Sequence, residues 1–226
     1  MQKARTVRRS AAGILWPILL LVSGVPSLRG RGMPSPADEA VDYGASYLVA
    51  ITGTTGLFAF AGHRHAVLAS DWSADLKVNP DDLSHASAVI TLPTDKLVVD
   101  TPAARQKAGL GKGPSESEMR TIQQRMLSSE VLDAARYPQI KFTATAIKAQ
   151  GSGRLQVTGN MEIHGHSHPV TVQAQYRSDG QQAAFDGEFQ IQQTDYGLKP
   201  ESVAGGTVKV KDAVTLKFHI VVRVAR

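Results

Sequence analysis

The chain has 226 residues, 42% hydrophobic and 20% charged, which suits one globular domain plus a leader and not a fibrous or disordered chain. It has no cysteine, which excludes a disulfide framework, a thiolate metal site, a cysteine nucleophile and a lipid anchor built on cysteine. The formal charge of +5 misleads: six of the 25 basic residues lie within residues 1–32, where no acidic residue occurs, and the other 19 face 20 acidic ones, so nucleic acid is excluded as a partner.

In chain order, Lys3, Arg5, Arg8 and Arg9 precede an apolar stretch from Ala11 to Val25 and then small residues and Pro26. That is a secretory signal pattern, assigned to residues 1–32. A spanning helix needs roughly 20 apolar residues, and this stretch is shorter and carries Pro17. The expected location is periplasmic or secreted. Residues 33–42 read as a linker, and residues 43–226 as the folded domain.

Strand signals then recur. They cover Tyr47 to Phe60, Ala66 to Val78, Ser87 to Leu92 and Lys96 to Asp100. Gln139 to Ala149 alternates, with Ile140, Phe142, Ala144 and Ala146 expected on one face. Gly151-Ser152-Gly153 turns the chain into Arg154 to Ile163, and Pro169 to Tyr176 follows. Gln182 to Gln192, Val208 to Lys211 and a strongly alternating strand from Val214 complete the series. One helix interrupts it. Ser115 and Glu118 form a capping box, Met119, Ile122 and Met126 make one apolar stripe, and Pro138 ends the segment. Short strands with regular turns predict an all-β, mainly antiparallel fold, either a sandwich or a closed β-barrel of about eight strands with one short amphipathic helix.

The run Val131-Leu132-Asp133-Ala134-Ala135-Arg136-Tyr137-Pro138-Gln139-Ile140-Lys141-Phe142, the segment Val157 to Gly165 with His168-Pro169-Val170, and the closing Asp195-Tyr196-Gly197 and Val210 to Val214 resemble the YceI-like family of polyisoprenoid-binding proteins. The resemblance covers roughly residues 45–222 in order. It departs from the family pattern at Gln193, where an Arg is common, and at His166, where an apolar residue is usual. It implies a lipocalin-like barrel whose lumen holds an amphiphilic isoprenoid lipid or quinone for transport or storage, with no cofactor and no reaction. Such a role allows transient membrane contact and a homodimer.

A lipid cavity needs an apolar lining, which strand alternation supplies. The expected ligand-binding residues are Phe58, Phe60, Phe142, Val157, Phe189, Ile191, Leu216 and Phe218, with His63 and His65 as polar groups at the mouth. The alternative is that these apolar residues only fill a core. The histidines also support a second reading, a metal-dependent hydrolase. In a strand, residues i and i+2 share a face at roughly 6.5–7 Å, so His63/His65 with one of His164, His166 or His168 could ligate one ion. Against it, Gly165 and Pro169 are expected to break the second cluster into a turn, and no H-E-x-x-H is present. No G-x-S-x-G elbow or phosphate-binding loop occurs, so no catalytic residue is assigned.

Overall fold

The computed structural model describes residues 41–55, 63–77, 86–203 and 208–223. The expected leader and linker up to residue 40, together with Phe58 and Phe60, lie outside the described residues. The strands are β1 (Tyr47–Ile51), β2 (Thr54–Thr55), β3 (Ala66–Ala69), β4 (Ser73–Lys77), β5 (Ser87–Pro93), β6 (Leu97–Val99), β7 (Gln139–Ala149), β8 (Arg154–Ile163), β9 (His166–Ser178), β10 (Gln182–Gln192), β11 (Ser202–Val203), β12 (Val208–Val210) and β13 (Ala213–Arg223).

Ten of these segments form one antiparallel sheet in the order β4-β5-β7-β8-β9-β10-β13-β1-β3-β6. The two ends of that order belong to one ribbon. Only Ser70–Trp72 separates β3 from β4, and only the 3-10 turn Thr94–Lys96 separates β5 from β6. β4 pairs with β5 from Ser73↔Thr91 to Lys77↔Ser87, and β3 pairs with β6 from Val67↔Val99 to Ala69↔Leu97. The N–H of Ser70 donates to the carbonyl of Lys96 between the two ladders. Two bent strands therefore run side by side, one held by β1 and the other by β7. Counted this way, eight strands follow one another up and down, and β13 against β1 closes the ring from Tyr47↔His219 to Ile51↔Thr215. Closure pairs the edges of the described sheet except along one seam.

One seam is incomplete. β9 pairs with β8 over its first ten residues but meets β10 only from Ala174↔Gly187 onward. The β8–β9 hairpin turns on two residues, His164 (φ 51°) and Gly165 (φ 75°). The second histidine cluster is therefore not broken at Pro169 as expected: only His164 lies in the turn, and His166, His168 and Pro169 are already in β9. Counting hydrogen-bonded and open pairs from that turn, Asn160↔Pro169 is an open pair. The N–H that Pro169 lacks would point towards β10, where β9 has no ladder partner.

Among the described residues there are two α-helices, one more than the sequence suggested. α2 (Glu116–Leu127) has the expected capping box: Glu118 N–H donates to Ser115 Oγ, and Ser115 N–H donates to the Glu118 carboxylate. α1 (Pro102–Ala108) begins with Thr101 accepting from Ala104 N–H and Pro102 at its first turn, and it ends at Gly109 in the left-handed region (φ 68°). Its brevity hid it from hydrophobic periodicity. α1 covers the outer face of β1 and β3, where Val49, Ala66 and Ala104 are buried together. A small antiparallel sheet, β11-β12-β2, lies apart from the barrel ladder.

Candidate functional site

Strand alternation divides the barrel wall into two faces. On β13, Val214, Leu216, Phe218 and Ile220 line the interior, while Thr215 and His219 do not. β10 contributes Phe185, Phe189 and Ile191, and β8 contributes Leu155, Val157, Met161 and Ile163. These residues enclose a cavity of about 340 Å³. It runs from Ala88, Leu155 and Ala174 at one end of the strands to Ile163, Ile191 and Leu198 at the other. That volume falls in the roughly 300–1,000 Å³ range of ligand pockets. Thr52, Ser87, Gln193 and Lys217 are the polar residues in a lining that is otherwise aliphatic and aromatic.

Two glycines shape this bore. Gly159 on β8 and Gly187 on β10 occupy interior positions without a side chain, and a phenylalanine from the neighbouring strand lies across each. A Cβ on Gly159 would stand 2.5 Å from both Phe142 Cε2 and Thr143 O, and one on Gly187 would overlap the ring of Phe218, its direct cross-strand partner. Each ring therefore lies flat along the wall instead of projecting across the lumen.

A bulge changes the expected face of β7. Register slips between Ala144↔Gly159 and Ala146↔Thr158, so Ile147 lines the cavity and Ala146 is exposed. The extra residue inverts the alternation beyond it.

The end of the barrel near α2 is closed by Met126, Val131, Leu132 and Leu198. Tyr196, in the 3-10 turn Gln193–Tyr196, is 1% exposed and packs edge-on to His168 at 5.2 Å. It lies on the part of β9 that β10 does not pair. Burial, with Asp195 nearby, pushes its phenol up. Val131 and Leu198 also line a second, more open recess of about 490 Å³. Apart from Gly197 and Pro200, its other walls are polar: Arg125, Ser129, Glu130, His164, Lys199, Glu201 and Ser202.

The sequence-predicted residues divide clearly. Phe142, Val157, Phe189, Ile191, Leu216 and Phe218 all line the cavity, whereas His63 and His65 do not. His63 is exposed. His65 Nδ1 lies 2.5 Å from Asp100, whose carboxylate also accepts from Ala66 N–H at 3.0 Å and Arg105 Nη1 at 2.6 Å. Burial pushes the Asp100 carboxyl up, but the hydrogen bonds from His65, Ala66 and Arg105 outweigh it and hold the group below the usual carboxylate range. His65 is thus a partner of a buried carboxylate. His164 packs against Tyr137 with ring centroids 4.2 Å apart, and His166 lies against Gly197. Among the described residues, no group of three or more His, Asp or Glu is arranged to hold a metal ion. Sequence reasoning missed Leu132 and Leu198 as lining residues, because each sits outside any strand and carries no periodic signal.

The family model of the YceI-like domain matches residues 47–222. The chain is 33% identical over 78 residues to a UPF0312 protein of Pseudomonas savastanoi, which covers 32% of this chain and 41% of that one. It is 28% identical over 121 residues to a UPF0312 protein of Pseudomonas fluorescens, covering 51% and 58% respectively. The matches thus span less than two thirds of these relatives. Among solved structures, Burkholderia cenocepacia BcnA is similar with a TM-score of 0.61 at 22% identity, covering 80% of this chain and 98% of that one. A polyisoprenoid binding domain from Saccharophagus degradans has a TM-score of 0.56 at 12% identity, covering 82% and 98%. These structures share the fold.

Proposed function

We propose, from the premise that the chain belongs to the YceI-like domain family, that its barrel binds a long isoprenoid lipid lengthwise and serves to carry or store it. The observation that carries this reading is the bore itself, continuous along the strands and almost wholly apolar. Each CH₂ transferred from water into such a lining contributes about 0.8 kcal/mol, so a prenyl tail needs few polar contacts to be held. The similarity in fold to a polyisoprenoid binding domain supports the same ligand class. A filled core would leave no such space, and a metal hydrolase would need a ligand cluster that the described histidines do not form. The reading is therefore of a binding protein without a chemical step. It includes export, for which the basic and apolar pattern of residues 1–32 is the support.

Trp72 provides the test. It is 8% exposed and packs in the same buried cluster as Leu97 and Ile220, both of which line the bore. Titrating delipidated protein with an isoprenoid quinone should quench its fluorescence saturably at one equivalent. Quenching that only rises linearly, as by collision, would count against the proposal.

A further inference from the structure

We propose that α2 is the gate of the bore: residues 114–136 swing off β6 to let a lipid tail in and out, and Gln123 is the catch that holds them shut. The inference rests on the lipid-binding reading and adds the route by which the ligand exchanges.

The two ends of the bore are sealed differently. At one end Val41 bridges Val222, and Trp72, Ala183 and Val222 are buried with it in one cluster. Opening that end would pull β10 from β13, which meet there at Ala183↔Val222. At the other end the seal is Met126, Val131, Leu132 and Leu198. The first three belong to the segment that carries α2, and they are only half-buried. None of the twelve residues of α2 is buried. Within its apolar stripe, Met126 packs against a core cluster, whereas Met119 and Ile122 join none of the clusters among the described residues. A segment with so few buried apolar contacts opens locally at far less than the free energy of global unfolding. A helix also keeps its backbone bonds within itself, so α2 can leave the wall as a unit where a strand cannot.

The segment is anchored at both ends. Arg105 donates to the carbonyls of Gly111 and Lys112, which fixes the preceding loop to α1. Thr94 takes up the chain again, its N–H donating to the carbonyl of Pro138 and its Oγ1 to that of Tyr137. Between these anchors, among the described residues, two polar ties reach the rest of the chain. Gln123 Oε1 accepts from Val99 N–H at 2.8 Å, and its Nε2 donates to the Leu97 carbonyl at 2.7 Å. β6 is the last strand in the sheet order, so this one side chain stands in for a missing ladder partner. Arg125 Nη2 lies 2.9 Å from Glu201, but that pair is largely exposed and adds little. Gln123 is therefore the tie that opening has to break.

Two measurements test the gate. In native-state hydrogen exchange without lipid, the α2 amides should exchange through a local opening. Gln123→Ala should lower their protection about tenfold, the net worth of roughly one hydrogen bond, while β8 and β13 keep theirs. Exchange of α2 only together with β13, in both proteins, would overturn the inference. For the route, protein loaded with menatetrenone, a naphthoquinone with a four-isoprene tail, is mixed with excess phosphatidylcholine vesicles, and recovery of Trp72 fluorescence reads release. Q123A should speed uptake and release alike by about tenfold and leave the affinity within about twofold, because the catch is closed in both the free and the loaded protein. The chain has no cysteine, so R125C/E201C can be joined selectively by a cleavable bismaleimide. The joined protein should retain its lipid, and cleavage should restore release. Release from the joined protein at the wild-type rate would overturn the gate and leave lipid binding intact. Menatetrenone that never binds would overturn the lipid reading itself, and the gate with it.

Discussion

Asp100 shows how a polar group can be held in this wall at low cost. Its carboxylate is fully buried yet takes hydrogen bonds from His65, the Ala66 amide and Arg105, and Arg105 in turn donates to the carbonyls of Arg64, Gly111 and Lys112. One side chain thus ties the start of β3 to α1 and the loop after it. Because the folded carboxyl titrates below its unfolded value, its stabilisation is fully present above the ordinary carboxylate range near 3.8 and is lost as pH falls through the lower folded value. Asp100→Asn keeps the shape and tolerates the backbone, which lies at φ 53°, but removes the charge. It should cost on the order of 3 kcal/mol at pH 7, since it leaves Arg105 buried beside a neutral amide. It should also flatten the acid limb of the stability curve. Urea melts at pH 7 and at about pH 2, well below the ordinary carboxylate range, check both, and an unchanged midpoint at pH 7 would refute the assignment. This cluster was hidden in the sequence, where His65 and Asp100 stand 35 residues apart and the former read as a polar group at the barrel mouth, with metal ligation as the second reading.

Pairs of neighbouring strands decide the width of the bore. Gly187 and Phe218 are directly opposed on β10 and β13, and the ring occupies the place that a β-carbon would take. Gly187→Ala should therefore push the Phe218 ring into the lumen. The expected cost is about 1–3 kcal/mol of stability from overpacking, together with weaker binding of a bulky tail. A double variant, G187A with Phe218→Leu, should recover much of both, because the smaller side chain yields. If G187A alone is neutral in thermal melts and in lipid titration, the ring does not define the wall. At this scale the sequence was largely legible: β7, β8 and β10 fall where alternation and turns put them, and six predicted lining residues lie in the bore. The failures have local causes. The slip between Ala144 and Ala146 reversed the face of the following residues, and α1 is too short for a 3.6-residue period to register.

At the scale of the molecule, closure is what makes the site. A ten-segment sheet becomes an eight-strand ring only because β3–β4 and β5–β6 are single bent strands; the unbroken run Ala66 to Val78 anticipated the first, but the pairing that closes the ring is a matter of register. Resemblance over four motifs anticipated the barrel, whereas composition and periodicity alone left barrel and sandwich open. The covering of the α2 end by Met126, Leu132 and Leu198 and the abutting recess arise from loops, where sequence patterns are weakest. No described helix is long and apolar enough to cross a membrane. The central claim is that an apolar bore holds a lipid, and it is tested most directly by native mass spectrometry of the full chain expressed in a bacterium and recovered from the periplasm without detergent. The account predicts a polypeptide shortened by its leader and carrying an additional mass in the range of a polyprenyl lipid, which organic extraction removes. A bare polypeptide mass, unchanged by extraction, would contradict it.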